Sequence, residues 1–307
     1  MTRLVLLATG EGLLVLDPDG EIMSTEFRGQ ETVSVAAGGG RCYVAVTNAG
    51  VYRRAAGAVG EWEHVGLTGL DVWVVAAGDD GTAYAGLEPA ALWRLGPDGA
   101  VELAGLASVE GHDDWHSPWG PADLSAVVVD GARLVVGVEV GGVAVSSDGG
   151  ANWEARNDGL YEDVHAVAAD GPCLYATTGM GFYRSLDEGK SWAWESDGLD
   201  RGYTQGLSIS GATLLVASAS GPPPLWEDDG AEAAIFRASA DDQPLSWTVA
   251  FEEFSGNVER QALAAVGDLV VAGTSDGELL VGGAGGTDLR VLRADLPPIT
   301  GVALLEG

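Results

Sequence analysis

The sequence is poor in basic residues: 15 Lys and Arg stand against 46 Asp and Glu, a formal charge of −31 over 307 residues, and Lys190 is the single lysine. Nucleic acid is thereby excluded as a partner, because affinity for phosphates comes from the Lys and Arg that neutralise them. An anionic membrane surface is excluded on the same ground. No 18-residue apolar run occurs, so no helical membrane span is expected. The opening MTRLVLLATGEGLLVLDPDG has only a short apolar run and continues as strand–turn–strand. It reads as structure and not as a signal peptide, and a cytoplasmic chain is expected. Cys42 and Cys173 are the only cysteines, too few for a disulfide framework and without a C-x-x-C spacing. Set inside RCYVAV and PCLYAT, they are expected to be buried, inert thiols. No G-x-S-x-G elbow, P-loop or dinucleotide fingerprint occurs, so no organic cofactor is expected.

What the sequence has is a period. Short β-rich runs begin at residues 31, 71, 123, 163, 203, 259 and 299, with spacings of 40, 52, 40, 40, 56 and 40. Three further runs follow most of them, separated by D-G and G-G turns; GARLVVGV, GGVAVSS and NWEARN after residue 123 are the clearest case. A four-stranded antiparallel unit repeated every 40 residues is a propeller blade. Seven periods and two extensions, of 12 and 16 residues, account for the whole chain. The chain opens on three strands and closes on a lone first strand, ITGVALLE, which completes the first blade and removes its exposed edge. The expected fold is all-β, one seven-bladed β-propeller domain spanning 1–307.

Two blades carry a sharper signature. SSDGGANW (Ser146, Asp148, Gly150, Trp153) and SLDEGKSW (Ser185, Asp187, Gly189, Trp192) match S-x-D-x-G-x-[ST]-W, the first with Asn152 at the Ser/Thr position. A degenerate third copy is SADDQPLSW, with Ser239, Asp241 and Trp247. On these motifs the chain resembles the Asp-box (BNR) repeat propellers, a group of sialidases, xyloglucan-specific endoglucanases, sortilin ectodomains and a photosystem II assembly factor. The resemblance implies that the Asp-box stabilises the turn and takes no part in chemistry. Blade geometry agrees, because the turns between third and fourth strands lie opposite the face that gathers the long loops.

Both extensions map to that loop-bearing face: LASVEGHDDWHSPWGPA before blade four, and SGPPPLWEDDGAEA within blade six. They are expected to bring His112, Asp113, Asp114, Trp115, His116, Trp119, Trp226, Glu227, Asp228 and Asp229 to the mouth of the channel. The first strands open with Glu31, Asp71, Asp123, Asp163, Tyr203, Glu259 and Ile299; five of the seven are acidic, where 46 acids in 307 predict about one. Two residues further on stand Val33, Trp73, Ser125, His165, Gln205, Gln261 and Gly301, with Arg260 beside them. The expectation is an acidic mouth with a polar sector at blades five to seven.

Three functions follow. The first is a binding or assembly propeller whose mouth takes a small-molecule, glycan or peptide ligand through Trp73, Asp113, Asp114, Trp115, Trp119, Gln205, Trp226, Glu259, Arg260 and Gln261. The second is a hydrolase of neutral glycans, which needs two carboxylates about 5–10 Å apart beside Trp platforms; the candidates are Asp71, Asp163, Glu227 and Asp228. The third is a metal-dependent lyase or hydrolase whose divalent ion is held by His112, His116 and His165. Sialidase chemistry is excluded, since only Arg260 is near the axis and an acidic mouth repels an acidic sugar.

Overall fold

The computed structural model of the chain describes residues 3–57, 61–118, 120–226 and 230–306. Among them the protein is all-β, with seven four-stranded antiparallel sheets as the blades of a β-propeller. Short 3-10 turns such as Ala104–Ser108 and Pro223–Leu225 lie between strands. Blade one joins Arg3–Thr9, Gly12–Leu16 and Ile22–Glu26 to the C-terminal strand Ile299–Glu306, as the open ends of the sequence predict. Blades two to seven begin with Thr32–Gly38, Asp71–Ala77, Leu124–Asp130, Val164–Asp170, Tyr203–Ser210 and Leu263–Val266.

The chain divides into two compact units, Met1–Arg156 with Ala303–Gly307, and Asn157–Val302. In each, the apolar core lies between successive sheets. In the first unit Tyr43, Ala45, Val75, Ala85 and Leu87 form one such layer, and Val74, Leu92, Leu124 and Val136 the next. In the second, Tyr175, Phe182, Leu214, Phe236 and Trp247 fill one layer, and Leu215, Ile235, Leu263 and Val270 the next. This explains the composition of the second strands. Leu134–Val138 and Leu214–Ala219 are buried continuously because both faces of each sheet are covered, which is why they read as unbroken apolar runs. The fourth strands are short and exposed, as Glu154–Ala155 and Ala193–Trp194 illustrate. Two-residue turns join first to second strands in blades four and five. Gly131 and Gly171 adopt φ values of 58° and 55° there, a region that favours glycine.

Two polar devices tie successive blades. Thr204 at the start of blade six donates to the carbonyls of Thr178 and Gly181 (both 2.9 Å), while its hydroxyl accepts from the Thr178 amide (2.8 Å). Thr32 and Thr9 repeat the clasp in the first unit. Third-strand arginines form the other device. Arg184, 3% exposed, holds Glu195 and donates to the carbonyls of Ala240 and Asp242. Arg53 does the same with Glu63 and the carbonyls of Gly96 and Pro97.

The two S-x-D-x-G segments form closely similar turns. Asp148 accepts from the Asn152 amide (2.8 Å) and the Ser146 hydroxyl (2.9 Å); Asp187 accepts from the Ser191 amide (2.9 Å) and the Ser185 hydroxyl (2.8 Å). Ser191 and Asn152 fill the same place, since each side chain also donates to the second carboxylate oxygen at 2.7 Å. In the degenerate third segment the Asp241 amide donates to Ser239 Oγ at 3.3 Å, and Trp247 is a core residue that bonds the Glu195 carbonyl. Cys42 is buried and its thiol is pushed up to about 11 by desolvation; Cys173, expected to be buried, is only partly so.

Candidate functional site

The first strands carry a shared irregularity. Their ladders slip between Thr32 and Ser34, Val72 and Val74, Leu124 and Ala126, Val164 and Ala166, and Thr204 and Leu207. The skipped residues are Val33, Trp73, Ser125, His165 and the Gln205–Gly206 pair, the second-tier positions of the repeat. A bulge re-aims a side chain and is common beside functional sites. In blade seven the corresponding residue, Gln261, lies outside the strand, bridges Gly301, and its carbonyl accepts the Val302 amide at 2.9 Å.

The richest cluster belongs to the Asn157–Val302 unit. His165 is 1% exposed, and its Nδ1 lies 2.6 Å from the Thr204 carbonyl while its Nε2 lies 3.4 Å from Asp163 Oδ1. Both ring nitrogens therefore point at protein oxygens. The ring packs on Tyr203 (centroids 4.7 Å apart), which in turn meets Trp226 edge-on at 6.2 Å. Trp226 is held in the blade-six extension by a bond to the Gly221 carbonyl (2.7 Å) and packs on a small cluster of Ala219, Ala231 and Ala233. Gln205 is 5% exposed, and its carbonyl accepts from Thr177.

Two carboxylates of this unit are driven in opposite directions. Burial alone would raise the Asp163 carboxyl, but the bond from His165 and the charges of His165 and Arg260 bring it below the usual aspartate range. Glu259 goes up: burial raises it, and Arg260 offsets this only in part. Arg260 is half-buried and its charge reaches both acids.

In the other unit the extension before blade four folds into a 3-10 turn, His112–Asp114, and a two-residue hairpin of His116–Ser117 with Gly120–Pro121. Trp115 packs against the Leu124 and Val138 layer, and Leu106 and Val109 are buried with it, so part of this loop is core. Asp113, Asp114 and His116 are exposed. Asp71 and Trp73, 40% exposed, stand at the start of blade three. Trp119, Glu227, Asp228 and Asp229 lie outside the described residues.

The divalent-ion expectation does not fit these side chains. No group of three or more His, Cys, Asp or Glu among the described residues is placed to hold a metal ion. His112 packs at a tilt on Trp115 (centroids 4.8 Å apart) and lies 3.7 Å from Asp113, and His116 Nδ1 is 2.9 Å from the Asp114 carbonyl. Both ring nitrogens of His165 already face Thr204 and Asp163.

Sequence reading missed a second feature of blade five. Tyr161, Met180 and Trp194 are 40%, 59% and 59% exposed around the turn between the second and third strands. Their only sequence signal is the second Trp of W-A-W at 192–194, two residues past the buried Trp192.

Fold and site together define a seven-bladed β-propeller whose second unit carries an acidic, aromatic-flanked corner. No family model matches the chain, and no curated protein matches it. Solved structures do. The GH74 xyloglucanase from Xanthomonas campestris is similar at 18% identity and TM-score 0.62, over 95% of this chain and 47% of that one, so the chain spans about half of the enzyme. YCF48 bound to D1 peptide is similar at 15% identity and TM-score 0.58, over 94% of this chain and 88% of that one. The computationally designed Ika8 protein is similar at 13% identity and TM-score 0.59, over 91% of this chain and 80% of that one. At these identities the likeness is one of fold.

Proposed function

We propose that the chain is a binding propeller of the Asp-box type whose blade-five-to-seven corner receives a positively charged small molecule or peptide. The observation that carries the reading is the state of His165. A general base needs a nitrogen free to take a proton, whereas both nitrogens of His165 are committed to protein oxygens. The ring thus fixes the orientation of the Asp163 carboxylate, 22% exposed, with Tyr203 and Trp226 as the apolar flank. Fixed charge beside aromatic faces suits a cation. YCF48, of similar fold, has been solved with a peptide bound.

A second reading rests on Asp163 and Glu259. Two carboxyls displaced in opposite directions are what an acid–base pair requires, with Glu259 as the acid and Asp163 as the ionised partner in hydrolysis of a neutral glycan. One experiment separates the two. Isothermal titration with an arginine-containing tripeptide amide is run beside product analysis on a neutral gluco-oligosaccharide. The binding reading expects saturable heat, weakened roughly tenfold or more by Asp163→Asn or Trp226→Ala, and no product. Because Asp163 is held below the usual range, binding should also survive acidification through the ordinary aspartate range. Glycan cleavage that disappears in both Asp163→Asn and Glu259→Gln would reverse the ranking.

A further inference from the structure

Blade five carries a surface that the corner does not use. Met180 stands 59% exposed at the crest of a turn between two glycines, and each glycine is required by a side chain laid against the backbone. A Cβ on Gly179 would lie 2.3 Å from Asp163 Oδ2 and 3.6 Å from Tyr161 Cε1. A Cβ on Gly181, at φ 102°, would lie 2.8 Å from Trp194 Nε1 and 2.5 Å from Ser196 Oγ. The indole is fixed by its bond to the Met180 carbonyl (3.1 Å), on the other side of the turn from Tyr161. Tyr183, paired across the strands with Trp194, lies close enough to Tyr161 for the two phenols to influence each other. The result is a strip of Tyr161, Met180 and Trp194 in which the Trp194 indole is held in place and the central thioether is adaptable. Rigid aromatics around a flexible Met characterise peptide-binding surfaces.

Charge selects the occupant. Residues 157–200 hold nine acids against two bases. Both bases are engaged at home, Arg184 with Glu195 at 2.9 Å and Lys190 with Glu188 at 3.9 Å. Glu162 is exposed directly beside Tyr161 and Asp163. A second copy of this chain is repelled by the same acidity, and a sugar ring prefers a flat platform to one interrupted by Met180. We infer that the Tyr161–Met180–Trp194 strip docks a basic peptide segment of a partner protein, its Arg or Lys side chains meeting Glu162 and the aromatic faces and its apolar side chains meeting Met180. The inference rests on the binding reading above and names a partner for the adjoining surface.

The test uses fluorescein-labelled peptides of alternating Arg and Leu, and of alternating Glu and Leu, titrated with the full chain by fluorescence anisotropy. The Arg–Leu peptide is expected to bind saturably, with a Kd that rises with salt, and the Glu–Leu peptide not to bind. Trp194→Ala and Met180→Ser should each weaken binding roughly tenfold, and Glu162→Gln should act mainly through the salt dependence. All three sites are exposed, so unchanged melting temperatures are expected to accompany the loss. Binding that ignores the strip variants but is lost in Trp226→Ala overturns this inference and leaves the corner reading standing. Absence of Arg–Leu binding, equal binding of the Glu–Leu peptide, or concentration-dependent dimerisation through the strip in sedimentation overturns it as well.

Discussion

At the scale of single residues, the same chemistry takes different work according to what surrounds it. Asp148 and Asp187 are carboxylates at the surface, yet each is held at about 2, against an ordinary 3.8, by the amide and hydroxyl or amide side chain of the fourth residue beyond it and by the preceding serine. Such a group stabilises the folded chain above its unfolded value and ceases to do so as pH falls through its folded value. Stability from these turns is therefore full above 3.8 and lost on acidification to about 2. The double variant Asp148→Asn/Asp187→Asn should melt at lower temperature than the parent at neutral pH. Its melting temperature should also fall less steeply across that acid window; parallel curves would mean that the carboxylates contribute no charge-dependent stability. Asp163 reaches its lowered state differently, against a burial penalty, through His165 and Arg260. That difference separates a turn-forming aspartate from one held by charged neighbours.

At the scale of elements, the third-strand arginines show what fastens one blade to the next. Arg184 is buried, grips Glu195, and donates two bonds to backbone of blade six, while Glu195 also accepts the Leu245 amide at 2.9 Å. Removing one partner of a buried pair leaves the other charge uncompensated and costs about 3–5 kcal/mol. Arg184→Ala should lower the unfolding free energy in urea by that order, whereas Arg156→Ala, whose partner Glu154 is exposed, should change it by less than about 1 kcal/mol. Equal effects would show that the interblade bonds, and not surface charge alone, have been misjudged. The blades themselves were legible because runs such as LVVGV and LLVASA, bounded by D-G or S-G, leave no other periodicity to choose. The arginines were not, although G-V-Y-R, G-F-Y-R and A-I-F-R recur at the same place in three blades, because a lone Arg in a strand carries no sign of burial. The bulges escaped for a related reason: the phase shift made by one extra residue is hidden in a strand as continuously buried as the start of Val164–Asp170. Position along the first strand sets Asp163 and His165 two residues apart, while the orientation of His165 toward Thr204 depended on a neighbouring backbone that no spacing reveals.

At the scale of the whole molecule, charge is the term that composition alone makes readable. With 46 acids and 15 bases, at least 31 carboxylates have no basic side chain to offset them. Many of the bases are already occupied: Arg53, Arg54, Arg184, Arg201 and Arg293 each grip a carboxylate at 2.9 Å or less. Salt acts on both populations. It weakens the exposed attractive pairs, each worth at most about 1 kcal/mol. It also screens repulsion among the unpaired acids, about 0.4 kcal/mol for two charges about 10 Å apart in water, summed over many neighbours. With 46 acids to 15 bases the balance is repulsive, and Arg53 and Arg184 are buried and little screened. The melting temperature should therefore rise steadily between about 10 mM and about 1 M KCl, as the screening length contracts from about 30 Å to about 3 Å. The rise should be largest at the dilute end, where repulsion has the longest reach, and should shrink at pH values low enough to protonate exposed carboxylates. A flat or falling curve at neutral pH would mean that the surface acids are spaced widely enough to be independent of one another.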